Sequence, residues 1–119
     1  MWVKIKLYNG YKKLYKMNLQ ILENIRTMKR SLLPNDRMIL FGSQARGDAR
    51  PDSDWDLLVL LDKEKITYED ENKYAYPFAE MGWDYGTYVS VKMYTQNEWK
   101  SRTFTPFYHN VEKDGLLIN

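Results

Sequence analysis

The chain has 119 residues, enough for one hydrophobic core, and its 44% hydrophobic and 15% aromatic content must build that core without disulfides, because there is no cysteine. The missing thiols exclude a disulfide scaffold, thiolate metal sites and cysteine catalysis; no apolar run nears the roughly twenty residues of a membrane span, and no signal peptide is visible, so a cytoplasmic protein is expected. The net charge of +2 conceals an asymmetry: residues 1–16 hold five lysines and no acid, leaving 13 Lys and Arg against 16 Asp and Glu in the rest.

Residues 1–16 read as a basic, solvated extension. Its lysines are interspersed with Trp2, Tyr8, Tyr11 and Tyr15 rather than forming a run, so the segment is no strong nucleic-acid or lipid signal. Val3, Ile5 and Leu7 alternate with lysines and suggest a short strand. Met17 competes with Met1 as the natural start, and residues 17–119 are expected to form a single domain. Leu14, Met17, Ile21, Ile25, Met28 and Leu32 recur at helical spacing, which predicts a helix over much of residues 11–32 ending before Pro34.

Met38 to Phe41 and Leu57 to Leu61 are continuous apolar runs, predicted as strands buried on both faces. Thr67 should cap a helix of roughly residues 68–81, with Asp70 at the capping-box position and Gly82 as the stop. Val89, Val91 and Met93 alternate with polar neighbours in a third strand over residues 87–94. Thr95 caps a short helix, Thr105-Pro106 opens another that Gly115 closes, and Leu116 to Ile118 add an edge strand. The expected fold class is α/β (α+β), a mixed β-sheet flanked by helices.

The chemistry sits between the first two apolar runs. Gly42-Ser43 follows one strand and can aim N–H groups and a hydroxyl at an anion, with a triphosphate as the natural occupant. No Gly-Lys-Ser/Thr follows, so this is not a Walker loop. After ten intervening residues Asp54 and Asp56 project to one side of the next strand, where a divalent cation would offset two carboxylates at the entry of an apolar segment. Taken singly, a Gly-Ser turn and an Asp-X-Asp pair are ordinary loop features; together, between two apolar strands, they are specific.

Leu40-Phe41-Gly42-Ser43-Gln44-Ala45-Arg46-Gly47 and Ser53-Asp54-Trp55-Asp56-Leu57 resemble the two signatures of the nucleotidyltransferase superfamily related to DNA polymerase beta, and most closely its minimal, single-domain members. The resemblance covers residues 17–119. It implies the polymerase beta-like fold, Gly42 and Ser43 on nucleotide phosphates, and Asp54 and Asp56 as catalytic residues holding Mg²⁺, in a two-metal site if active. Arg46 is assigned either to guiding the triphosphate or to holding the loop. The implied reaction transfers a nucleoside monophosphate, AMP from ATP, to an acceptor hydroxyl. Proteins of this minimal group are often paired with a small helical HEPN-type toxin, in some cases through AMPylation of it.

The sequence departs from the pattern at one place. The resemblance calls for a third carboxylate on the later strand, and that position falls on Ser90, with Lys92 two residues on. Asp84 and Glu98 bracket the strand as substitutes. Two readings therefore stay open: an active minimal transferase, or a nucleotide- or partner-binding module that has lost efficient transfer. His109 is the only histidine, which removes a histidine-based zinc site, and it reads as a packing or surface residue. The aromatic second half, from Tyr74 to Tyr108, should be mostly core; one ring could stack on an adenine, and an exposed set would mark a protein interface or a homodimer.

Overall fold

Apolar strands need partners on both edges and cover on both faces, and the tertiary structure supplies them in a four-stranded sheet of order β5-β4-β3-β6. The computed structural model describes residues 3–8, 11–15 and 18–119, with side-chain detail from Asn18 onward. The elements are β1 (Val3–Tyr8), β2 (Tyr11–Tyr15), α1 (Leu19–Leu32), β3 (Arg37–Phe41), α2 (Gly42–Arg46), β4 (Trp55–Leu61) and α3 (Tyr68–Asp70). There follow a π-helical stretch (Glu71–Ala75), α4 (Tyr76–Asp84), β5 (Val89–Thr95), α5 (Gln96–Lys100), α6 (Pro106–Asp114) and β6 (Leu116–Ile118).

β3 pairs antiparallel with β4 and with β6, whereas β4 pairs parallel with β5, so the sheet is mixed as expected. Alternation along β4 sends Trp55, Leu57, Val59 and Leu61 into a core with Ile21 and Ile25 of α1 and Phe78 and Met81 of α4. Leu58 and Leu60 point the other way, onto Trp99 of α5 and Val111 of α6. Helices thus cover both faces. Leu57, Leu58 and Val59 are fully buried, and burying each such side chain contributes about 1.5–3 kcal/mol.

The first helix is shorter than its spacing suggests. Asn18 Oδ1 accepts from Gln20 N at 3.1 Å and Ile21 N at 3.2 Å, which caps α1 and fixes its start at Leu19. Residues 11–15, expected inside that helix, instead form β2 and pair antiparallel with β1, Tyr8 opposite Tyr11. The segment expected as a basic extension therefore contains a two-stranded sheet, and the strand suggested by Val3, Ile5 and Leu7 is present. Met17, weighed as a helix position and an alternative start, lies outside the described residues.

Gly82 does not stop its helix either. α4 runs on to Asp84, and the chain reverses at Gly86, whose φ of +68° glycine adopts without penalty. A Cβ on Gly82 would lie 2.8 Å from Val89 Cγ2, so this glycine allows α4 to approach β5 closely. The three threonine caps are as expected: Thr67 and Thr95 form capping boxes with Asp70 and Glu98, and the Thr105 hydroxyl accepts from Tyr108 N.

Candidate functional site

Antiparallel pairing of β3 with β4 sets Phe41 directly opposite Asp56, so the turn after β3 begins beside that carboxylate. Gly42 takes φ +75°, and a Cβ there would overlap Asp56 Oδ2. Only glycine meets both demands, a left-handed backbone and contact with an acid. α2 starts at this residue and ends at Gly47, again left-handed at φ +82°, whose N–H returns to Ser43 O at 2.9 Å.

The segment carrying Asp54 is held to α2. Ser53 N donates to Arg50 O at 3.0 Å and Arg50 N to Ser53 Oγ at 2.7 Å, closing a turn around Pro51. Buried Gln44 then donates its Nε2 to Ser53 O at 3.3 Å. Gln44 is thus a positioning residue that ties the Gly-Ser turn to the residue before Asp54, a role without a signal in the sequence. Trp55, 2% exposed, anchors the space between the two aspartates in the core.

Asp54 is exposed and Asp56 half-buried. Burial, followed by the negative charge of Asp54, pushes the Asp56 carboxyl above its ordinary value, while Lys92 and Arg46 act in the opposite sense. The two acids therefore feel each other, and a cation between them would relieve the repulsion. Arg46 pairs at 3.2 Å with Asp48, both side chains exposed, so it braces the loop while still adding positive charge near Asp56.

The parallel pairing of β4 with β5 settles the register left open by apolar alternation: Ser90 lies opposite Asp56, and Lys92 opposite Leu58. Ser90 and Lys92 share the face of Asp56. Lys92 Nζ stands 5.9 Å from the Phe107 ring centroid, and Phe107 meets Phe41 edge-on at 5.4 Å, giving the site an aromatic floor. Neither bracketing acid completes a carboxylate triad. Glu98 accepts from Thr95 N at 2.9 Å in its capping box, Asp84 is exposed at the end of α4, and no group of three metal-ligating His, Cys, Asp or Glu occurs among the described residues.

A groove of about 250 Å³ runs along β5 from Ser90, lined by Tyr76, Ala79, Tyr88 and Val91 among others. Tyr76, Trp83 and Tyr88 are all at least half exposed, whereas Phe78 and Trp99 are core, so the aromatic second half divides between packing and surface. His109 is exposed and meets the Tyr108 ring edge-on at 5.8 Å. No helix among the described residues is long and apolar enough to cross a membrane.

Comparison with known proteins finds relatives of this chain. A family model described as a nucleotidyltransferase domain matches residues 21–114. A protein of Methanocaldococcus jannaschii, provisionally named a protein adenylyltransferase, is 33% identical over 105 residues, which cover 84% of this chain and all of the relative. A chain from a crystal structure of a toxin-antitoxin with AMP-PNP superposes with a TM-score of 0.58 at 19% identity, over 87% of this chain and 73% of that one, and is similar in fold.

Proposed function

The chain belongs to the nucleotidyltransferase domain family, and on that footing we propose that it transfers AMP from ATP to a hydroxyl of a protein acceptor. One observation carries this reading: the Gly42-Ser43 turn is packed against the Asp56 carboxylate, with a Cβ at Gly42 excluded by Asp56 Oδ2. A Gly-Ser turn in contact with one acid of an Asp-X-Asp pair suits a triphosphate with a divalent ion. The provisional name of the M. jannaschii relative supports a protein acceptor, and the toxin-antitoxin neighbour supports a partner protein in that role, its HEPN type being what the sequence resemblance implies.

The donor chemistry fits one divalent ion. Mg²⁺ is commonly held by one or two carboxylates plus substrate phosphates, and Asp54 and Asp56 supply that pair with a repulsion the ion would relieve. When bound, it supplies neutralisation of phosphate charge. In the reaction the acceptor oxygen forms a bond to the α-phosphorus as the bond to the bridging oxygen breaks, pyrophosphate leaves with the electron pair, and the hydroxyl proton passes to water. The Gly42 and Ser43 N–H groups and the Ser43 hydroxyl would orient the triphosphate, and Arg46 would add charge to the same region.

Ser90 opposite Asp56 favours a second reading, a module that binds nucleotide or partner without efficient transfer. The two separate in one experiment. The purified chain is incubated with Mg²⁺ and α-labelled ATP, with and without candidate acceptor proteins, beside Asp56→Asn. Label on an acceptor that the substitution abolishes supports transfer, ATP binding with no label in any mixture supports the module, and no ATP binding refutes both.

A further inference from the structure

We propose that Lys92 serves as a fixed cation in this site, neutralising phosphate charge that a second divalent ion neutralises in a three-carboxylate centre, so that the chain works with one divalent ion per nucleotide. This inference rests on the site's binding a nucleotide, as proposed above.

The register is its first support. Where a third carboxylate would complete a second cation site, the residue opposite Asp56 is the uncharged Ser90. The next side chain on that face of β5 is the ammonium of Lys92, so one strand exchanges an anion for a neutral group and adds a cation beside it. A second divalent ion would lose a ligand and meet a like charge.

Availability is the second. Lys92 is exposed, and its described contact is the face of Phe107 at 5.9 Å, with no salt bridge or hydrogen bond among the described residues. Arg46, the other cation acting on Asp56, is occupied by Asp48. Lys92 Nζ lies over the Phe107 ring, which meets Phe41 edge-on beside the turn, so the ammonium sits on the Asp56 face of the sheet.

The test counts ions and measures nucleotide affinity in the full chain. Bound Mn²⁺ is titrated by electron paramagnetic resonance in the presence of a non-hydrolysable ATP analogue, and affinity for the same analogue is measured calorimetrically in EDTA. The wild type should take one Mn²⁺. Lys92→Met should weaken metal-free binding about ten- to a hundredfold, the range of a charge-assisted contact, while Lys92→Arg stays within a few-fold of the wild type. The double variant Ser90→Asp/Lys92→Met should take two Mn²⁺. Thermal melts check that each variant folds, and substitution at the exposed Lys92 leaves the core untouched. Two ions on the wild type, unchanged affinity in Lys92→Met, or one ion on the double variant would each overturn the role of Lys92. A wild type that binds no nucleotide even with Mn²⁺ would overturn the nucleotide site itself.

Discussion

Gly42→Ala tests whether the turn and the acid form one device. The substitution has two costs that can be separated, because Gly86 has a similar backbone, φ +68° against +75°, with nothing within 4 Å of where a Cβ would lie. Gly86→Ala therefore carries the left-handed backbone penalty alone, about 1–2 kcal/mol. At about 4–8 °C per kcal/mol for a small domain, its melting temperature should fall by roughly 4–16 °C. Gly42→Ala carries the same penalty and in addition drives Asp56 Oδ2 out of position. Its loss of stability should at least match that of Gly86→Ala. Its affinity for Mn²⁺ with nucleotide should drop about ten- to a hundredfold, as expected when one charged contact of about 1.5–3 kcal/mol is lost. Calorimetric melts and Mn²⁺ titration on both variants provide the comparison. If Gly42→Ala binds Mn²⁺ and nucleotide as the wild type does, the contact between turn and carboxylate is incidental, and the observation carrying the proposed function is lost.

Two other variants follow from the charges. The folded chain holds the Asp56 proton more tightly than the unfolded chain does, so the associated stability is present below the ordinary carboxylate range and is lost as pH rises through the raised value. Asp56→Asn should accordingly melt above the wild type at pH 7 without divalent ions, with the gap closing on acidification, and should gain nothing from Mg²⁺; a wild type more stable than the variant under those conditions would count against a repelled pair. Asp70 behaves oppositely: the hydrogen bond from Lys63 at 2.7 Å, then that from Thr67 N at 2.9 Å, hold its carboxyl below the ordinary value. Asp70→Ala should cost about 1–2 kcal/mol at pH 7 by urea denaturation, and the difference should vanish as pH falls through that lowered value, where the wild-type carboxylate is protonated as well.

Much of this fold is written in local chemistry. The runs Met38 to Phe41 and Leu57 to Leu61 became β3 and β4, and the caps Thr67, Thr95 and Thr105 open the helices they announce, because a capping side chain and its N–H partner lie within three residues of each other. Where local signals compete, the sequence misleads. Leu14 and Met17 continue the helical spacing of α1, yet Tyr11–Tyr15 pairs with Val3–Tyr8, and the Asn9-Gly10 pair between the two runs is the dipeptide that hairpin turns favour. Gly82 looks like a helix stop but is the point where α4 meets β5, a contact between elements that no local pattern encodes. The π-helical stretch at Glu71–Ala75 likewise has no signature in its residues.

The candidate site divides along the same line. Gly42, Ser43, Asp54 and Asp56 are legible without coordinates, because the residue types and their ten-residue spacing already imply a turn and an acidic strand that can share a phosphate and an ion. Which residue stands beside Asp56 was decided only by strand register, since a slip of one residue along β5 would exchange Ser90 and Lys92 for Val89 and Val91 on that face. Hydrogen bonding between β4 and β5, and the burial of Val89 in the core, set that register. Tertiary pairing, which depends on residues more than thirty positions apart, thus puts Ser90 opposite Asp56 and Lys92 on the same face of the sheet.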